Sequence, residues 1–141
     1  MAFYDVARDE FSISTDPSKL DIDCIVRFLG ASYWAAKRSR AAIELSIRNS
    51  LSFGMYDKGV QIGFARAVTD DATFAWICDV FVDEAYRGRG LGTWLMANVV
   101  AHPSIRELRL VMLATRDAHE LYRPFGFTEV PLPESWMERR R

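Results

Sequence analysis

Three glycines recur at every second position in the segment RGRGLG, residues 87–92. Glycine is costly to order and weakens regular structure, so this spacing indicates a backbone with a specific task. The segment follows the strand-like run TFAWICDVFV and precedes the helix-like run LGTWLMANVVAH. The start of a helix offers unpaired N–H groups and a partial positive charge, which suit a phosphate. The glycines, with Arg87 and Arg89, therefore predict a phosphate-binding loop; the alternative is a tight, solvated turn.

Two common phosphate-binding motifs do not fit this segment. The dinucleotide fingerprint GxGxxG needs a small residue at position 93, which is Thr93, and an acidic residue at the end of the next strand. That strand ends LVMLAT and has no acidic residue. The P-loop pattern GxxxxGK followed by Ser or Thr does not occur, so the sequence lacks the main motif that would indicate an enzyme using ATP or GTP.

The spacing of Arg87, Gly90 and Gly92, with VFV ahead of it, resembles the acetyl-CoA signature of the GCN5-related N-acetyltransferase (GNAT) family. The later stretch LATRDAHELYRPFGF is similar to the second signature of that family, a strand followed by A-x-x-LY-x-x-x-GF, in which Tyr122 takes the tyrosine position. The two signatures stand in the family's order and on the expected elements. The resemblance spans about residues 51–130.

The resemblance implies that acetyl-CoA is the cosubstrate and that the glycine loop holds its pyrophosphate on backbone N–H groups. In the family, the strand before the loop separates from the following strand, and the pantetheine arm lies in that gap. Thr115 departs from the family, which often has asparagine there; its hydroxyl replaces that contact, or the contact is missing. The residues predicted to contact the coenzyme are Phe81, Val82, Arg87, Gly88, Arg89, Gly90, Leu91, Gly92, Thr93 and Thr115.

Amine acetylation makes three chemical demands. The amine must lose a proton, because an alkyl ammonium has a pKa of about 10. The thioester oxygen needs donors as it gains charge, and the leaving thiolate needs a proton or a donor. The resemblance implies direct attack without an acyl-enzyme and makes Tyr122 the general acid; the alternative for Tyr122 is packing beneath the coenzyme. Cys78 is interpreted as a core residue rather than a nucleophile.

Asp79 and Arg66 place charges among the apolar positions of two predicted strands. With uninterrupted alternation, Asp79 shares a face with Ile77, and Arg66 shares a face with Ile62. A charge among apolar neighbours is unusual unless it is paired. Two interpretations stay open. One is a buried Arg66–Asp79 ion pair; the other is that one or both groups meet the substrate, with Asp79 taking part in catalysis.

The segment between the first two predicted helices contains Tyr33, Trp34, Arg38 and Arg40. In the GNAT family this region forms much of the acceptor pocket, so Tyr33 and Trp34, with Arg66, are predicted to bind the substrate; the aromatics could equally belong to the core. The favoured acceptor is a primary amine of a small molecule. Two alternatives remain: acetylation of a protein lysine or N-terminus, and a non-catalytic module that binds acyl-CoA.

Hydrophobic periodicity supplies the elements that must position these residues. The predicted strands are 11–15, 51–56, 60–68, 73–82, 107–115 and 126–130, and the predicted helices are 17–30, 39–49, 91–101 and 117–125. The pattern predicts one α/β domain over residues 1–141, with a mixed, mostly antiparallel sheet of about six strands and about four helices packed on it. The resemblance adds a splay between the fourth and fifth strands.

Composition limits the partners and the location. Half of the 141 residues are hydrophobic, which is enough to bury a core without a metal or a disulfide, and we predict no metal site. The formal net charge of −1 argues against nucleic-acid binding. No apolar run reaches the ~18 residues of a membrane span, and there is no secretory pattern. We expect a soluble cytoplasmic protein with reduced cysteines. The family leaves a homodimer open.

Overall fold

The computed structural model describes residues 2–141, which form a six-stranded sheet with helices on both faces. The strands are β1 (Asp5–Arg8), β2 (Phe11–Ser14), β3 (Leu51–Asp57), β4 (Val60–Thr69), β5 (Phe74–Val82) and β6 (Leu110–Met112). They lie side by side in chain order. All neighbouring pairs are antiparallel except β5 and β6, which are parallel. The predicted mixed, mostly antiparallel sheet is confirmed.

The α-helices are α1 (Ile22–Gly30), α2 (Arg40–Arg48), α3 (Leu91–Ala101) and α4 (His119–Tyr122). Side-chain caps set where the first two begin, because Asp21 and Ser39 each accept a backbone N–H three residues later. Asp16 caps a separate 3-10 turn, Pro17–Lys19, so α1 begins later than predicted. None of the helices in residues 2–141 has both the length and the apolar character that a bilayer crossing requires.

The two faces of the sheet bury separate cores. α3 packs on one face, where Leu95 and Val99 meet strand residues that include Ile77. α1 and α2 cover the other face, where Ile25 and Ile43 pack against Phe64 of β4. Each helix therefore buries its apolar stripe against the sheet, which is the main favourable term available to short helices.

β5 and β6 pair only along the first part of β5. Residues 74–76 lie opposite residues 110–112, and β6 ends there while β5 continues to Val82. Among the residues that the structure describes, none forms a strand beside the remaining edge of β5 on this side. These two strands are the fourth and fifth predicted ones, so the predicted splay is confirmed.

The predicted last strand, 126–130, is wrong. Gly126 adopts a φ of 90°, and Phe127 packs edge to face on Tyr122 with ring centroids 6.0 Å apart. Glu129 pairs with Arg123 at 2.6 Å. These local contacts fold the segment back against α4, so it does not extend beside β6.

β1 has no counterpart among the predicted strands. It pairs with β2 through a turn in which Asp9 adopts a φ of 57°. Only Val6 of this edge strand is half-buried, and its other residues are exposed, so the hydrophobic signal is weak. The count of six strands holds because one strand is gained at the N-terminus and one is lost at the C-terminus.

Candidate active site

The glycine loop joins β5 to α3. After the 3-10 turn Glu84–Tyr86, the chain reaches Gly88 and Gly90, whose φ angles are 81° and 73°. Other residues are strained in this left-handed region, which accounts for two of the three glycines. Apart from the adjoining residues, a Cβ added at either position would meet no atom of the described part of the chain within 4 Å. The outer surface of the loop is therefore open.

The backbone N–H groups of this loop are free to bind an anion. Gly90 caps α3 without a side-chain hydrogen bond. Within residues 2–141, every backbone N–H from Gly88 to Thr93 lacks an acceptor, and the first paired donor is Trp94, which donates to the Gly90 carbonyl at 3.0 Å. Unpaired donors at a helix start, where the helix dipole is positive, suit a phosphate group. The residues present fit the pyrophosphate of acetyl-CoA.

Two hydrogen bonds anchor the loop to the β3–β4 hairpin. The Asp83 backbone N–H donates to the Ile62 carbonyl at 2.7 Å, and the Tyr86 hydroxyl donates to Asp57 at 2.6 Å. The guanidinium of Arg89 lies over the Tyr86 ring at 5.3 Å. These contacts hold the turn that precedes Gly88 against the hairpin.

Tyr122 lies at the end of α4, on the other side of the splay. α4 approaches the loop, since a Cβ on Gly92 would lie 3.7 Å from Leu121 and 3.8 Å from Val82. Tyr122 is buried, and burial is the main cause that raises its pKa to about 12, with added contributions from Tyr33 and Asp117. The phenol therefore keeps its proton at neutral pH and can donate a hydrogen bond.

Asp79 lies at a β-bulge in β5. Arg66 pairs with Cys78 and Phe64 pairs with Phe81, so two residues of β5 oppose one residue of β4 between these pairs. Asp79 adopts a φ of 56°, which is uncommon for any residue other than glycine. The bulge shifts the alternation of side chains along the strand, so an uninterrupted period of two does not describe β5.

The bulge places Asp79 on the face covered by α1 and α2. Ile77 packs in the core beneath α3, whereas the Asp79 side chain contacts residues of the α1–α2 segment. The expectation that Asp79 and Ile77 share a face is wrong, because one extra residue reverses the alternation.

A second shift separates Arg66 from Ile62. The β3–β4 register changes between Met55 and Tyr56. Ile62 consequently packs beneath α3, whereas Phe64 packs in the other core. Arg66 follows Phe64 by two residues and lies on the face covered by α1 and α2. The expectation that Arg66 and Ile62 share a face is therefore also wrong.

The Asp79 carboxylate accepts hydrogen bonds from three side chains. Arg38 Nη1 and Arg66 Nε donate to Oδ2 at 2.7 and 3.0 Å, and Trp34 Nε1 donates to Oδ1 at 3.0 Å. The Asp79 side chain is 1% exposed, and that of Arg66 is 11% exposed. The buried Arg66–Asp79 ion pair, one of the two interpretations of these charges, is thus present. Arg38 was not predicted as a site residue, since the Asp79 contact spans 41 positions.

Asp79 is poorly placed to abstract a proton. Burial by itself would raise the pKa of its carboxyl group, but the hydrogen bonds and charges of Arg38 and Arg66 outweigh burial and hold that pKa below its usual range. The carboxylate is ionised at neutral pH and engaged by three donors. A general base needs a pKa near the working pH, so this geometry favours a positioning role for Asp79.

The sequence profile of the acetyltransferase (GNAT) family matches residues 5–127. The chain belongs to this family. A solved GNAT-family structure from Xanthomonas campestris pv. campestris is 45% identical to it, with 93% of each chain covered and a TM-score of 0.89. The recognised resemblance is confirmed, and membership assigns the protein to the acyltransferases.

Two further similar proteins support less, one because it is much longer than this chain and the other because its sequence identity is low. A histone acetyltransferase of Glycine max is 36% identical over 99 residues, which are 69% of this chain and 43% of that protein. The chain therefore spans less than half of that relative. A Clostridium acetobutylicum protein solved with acetyl-CoA is 12% identical, with a TM-score of 0.66 over 99% of this chain and 95% of that one. This last likeness concerns the fold alone.

Tyr33 and Trp34 are surface residues in this GNAT protein rather than core aromatics. Both are about half exposed, and their rings meet edge to face at 5.1 Å. The Tyr33 hydroxyl accepts the Arg116 backbone N–H at 3.0 Å, and the Arg116 guanidinium lies 3.8 Å from the Tyr33 ring centroid. Tyr33 thereby links the α1–α2 segment to the loop after β6, across the splay.

The other predicted coenzyme residues differ in what they can offer. The Leu91 side chain is buried, so only its backbone is available. Thr115 Oγ1 accepts the Ala118 N–H at 3.0 Å, which commits that oxygen to the turn before α4 and leaves its hydroxyl proton free to donate. The Phe81 ring stacks on Phe28 at 4.6 Å, which fixes the strand beside the splay.

Cys78 lies beside this cluster as a half-buried free thiol. Burial is the main cause that raises its pKa to about 11, despite the opposing charge of Arg66. Since the thiolate is the nucleophilic form, Cys78 is a weak nucleophile at neutral pH. Its environment fits the predicted structural role.

Proposed function

We propose that this GNAT protein transfers the acetyl group of acetyl-CoA directly to a primary amine of a small molecule. The open row of N–H donors from Gly88 to Thr93 carries this proposal, because it provides a phosphate site at the end of β5. The unpaired edge of β5 leads from this loop towards the bulge at Asp79. Backbone groups near Phe81 and Val82 would pair with the pantetheine arm along that edge.

The chain's own groups would serve the reaction at two points. As the amine nitrogen bonds to the thioester carbon and the carbon–sulfur bond breaks, backbone N–H groups near Phe81 would stabilise the carbonyl oxygen. The Tyr122 hydroxyl, protonated at neutral pH, would donate to the departing sulfur. The proton released by the amine would return to the Tyr122 oxygen by way of solvent, which restores the phenol.

Two guanidinium groups would help the amine to become neutral. Arg38 and Arg66 already occupy the Asp79 carboxylate, so an incoming ammonium finds no free counter-charge there. Positive neighbours disfavour the ammonium form and lower its pKa from about 10. The nucleophilic amine would thus be favoured without a dedicated side-chain base.

A protein lysine is the second candidate acceptor, because one relative is named a histone acetyltransferase. A lysine within a basic protein segment would meet the positive charges of Arg38, Arg66 and Arg116 on the side of the protein that carries Asp79. Like charges would oppose the approach of such a segment. This repulsion favours a small acceptor over a basic protein segment.

The release of free coenzyme A thiol from acetyl-CoA by the purified protein tests the proposal. We expect release to depend on added small amines and to exceed release with a lysine-rich peptide of equal amine concentration. A reaction without amine sets the hydrolytic background. Binding of acetyl-CoA with no amine-dependent release would indicate a binding module, and a peptide preference would indicate protein acetylation.

A further inference from the structure

The cluster around Asp79 contains more positive than negative charge. Arg38 and Arg66 share this one carboxylate, at 2.7 and 3.0 Å. At the end of α4 the arrangement is reversed, because the single guanidinium of Arg123 contacts two carboxylates, at 3.0 and 2.6 Å. A largely buried cluster with an unbalanced charge is costly unless an anion or solvent compensates it.

Arg38 exposes the uncompensated charge to solvent. Its side chain is 33% exposed, and only Nη1 is engaged, by Asp79. Within residues 2–141, its Nε and Nη2 groups donate to no acceptor. A planar guanidinium with free N–H donors matches a carboxylate or phosphate, and the Asp79 contact restrains its orientation in advance.

The surroundings of Arg38 resemble a recognition surface. Trp34 also donates a hydrogen bond to Asp79, and its ring packs edge to face on Tyr33. The Arg116 guanidinium lies over the Tyr33 ring. Within residues 2–141, Arg116 pairs with no carboxylate at salt-bridge distance. Half-exposed aromatic rings beside Arg38, which keeps free donors, and beside Arg116 suit a small ligand that carries both an apolar part and an acidic group.

We propose that the acceptor amine carries an acidic group, a carboxylate or a phosphate, which Arg38 binds. This inference rests on the proposed acetyl transfer and names the substrate class for it. Asp79 then acts as a positioning residue that fixes Arg38, and Arg38 selects the substrate. The opposite arrangement, in which Asp79 receives the substrate ammonium, is disfavoured. The Asp79 carboxylate already accepts hydrogen bonds from Trp34, Arg38 and Arg66.

This inference can be tested with pairs of amines that match in length and differ in whether they carry an acidic group. γ-Aminobutyrate, aminopropylphosphonate and n-butylamine have similar length and differ in the terminal group, and L-alanine and L-alaninamide place the difference closer to the amine. We expect kcat/KM to be roughly 10-fold or more higher for the best acidic amine than for its neutral match, the scale of one charged hydrogen bond. The phosphonate and carboxylate arms distinguish the two anions. Equal kcat/KM within each pair would overturn the proposal.

Variants of Arg38 test whether this residue causes the preference for acidic amines. Arg38→Gln should abolish the preference for acids mainly by raising KM for the acidic amines, so the ratio of kcat/KM between γ-aminobutyrate and n-butylamine should fall towards one, and Arg38→Lys should restore part of that ratio. Arg40→Gln is the control, because Arg40 is exposed and pairs with Asp23 and Glu44 away from the cluster. A preference that survives Arg38→Gln, or is lost equally in Arg40→Gln, would contradict the assignment.

Binding of an anion without an amine separates this inference from acetyl transfer. Butyrate and inorganic phosphate are titrated by calorimetry into the unmodified protein and into Arg38→Gln. If no amine is turned over but an anion binds and the variant loses that binding, the proposed function fails while the anion site stands. If amines are turned over but neither anion binds nor competes with the amine, the acidic-acceptor assignment fails and acetyl transfer stands.

Discussion

Trp34 Nε1 lies 3.0 Å from Asp79 Oδ1, which connects the α1–α2 segment to the bulge of β5. The same carboxylate binds Arg38 of that segment and Arg66 of β4. One buried side chain therefore joins three parts of the chain and compensates for the unfavourable φ of 56° at Asp79.

Replacing Asp79 with asparagine should destabilise the protein by ~3 kcal/mol or more, because it leaves two guanidinium groups without their counter-charge. The melting temperature should fall by several degrees. Asp5→Asn is the control, since the Asp5–Lys19 pair is half exposed at 3.4 Å and should contribute about 1 kcal/mol or less. Calorimetric melting of both variants gives the comparison. Equal stability of Asp79→Asn and the unmodified protein would show that the ion pairs are dispensable.

The stability of the unmodified protein should fall in acid partly through Asp79. The pKa of this group is lowered in the folded state, so its contribution is present above the unfolded pKa of about 4 and is lost as pH falls through the lower folded pKa. Melting curves from about pH 2 to pH 7 should therefore be flatter for Asp79→Asn. An unchanged acid slope in the variant would assign the acid sensitivity to other carboxylates.

Replacing Gly90 with aspartate should weaken acetyl-CoA binding by ~10-fold or more, because a negative charge would stand beside the open N–H donors. Gly90→Asn separates the charge from the backbone effect, as both residues tolerate positive φ better than most and have similar size. Isothermal titration calorimetry with acetyl-CoA measures both variants. If the folded aspartate variant bound acetyl-CoA as tightly as the asparagine variant, the loop would not hold the pyrophosphate.

Replacing Tyr122 with phenylalanine should lower kcat by ~10²-fold and largely preserve coenzyme affinity, because only the hydroxyl is removed. Since the pKa of Tyr122 is about 12, its ionisation should not shape the rate profile between about pH 6 and pH 9. Phe127→Leu, which alters the ring packed against Tyr122, controls for packing. Turnover of Tyr122→Phe near that of the unmodified enzyme would leave Tyr122 with a packing role only.

Replacing Cys78 with alanine should leave acetyl transfer within a few-fold of normal, because a thiol with a pKa of about 11 is mostly protonated at neutral pH. Intact-protein mass spectrometry after incubation with acetyl-CoA should show no acetylated Cys78. Loss of turnover together with a trapped acetyl-cysteine would establish an acyl-enzyme in place of direct attack. Melting curves identify any loss that comes from unfolding.

The sequence by itself determined the features that depend on neighbouring residues. The alternating glycines and the following helical stripe predicted the loop at Gly88–Gly92, and Ser39 predicted the start of α2. The turn after Asp57 predicted the β3–β4 hairpin, in which Lys58 and Gly59 adopt positive φ. Such signals are readable because caps, turns and periodicity act over a few residues.

The tertiary structure alone decided the arrangement around Asp79. One extra residue in β5 moves this side chain to the opposite face, and a period of two cannot show where such a bulge lies. The contacts with Arg38 and Trp34 join positions more than forty residues apart, and their geometry depends on how α1, α2 and the sheet pack. The end of the chain differs for a similar reason, since contacts with α4 outweigh the local strand pattern after Gly126.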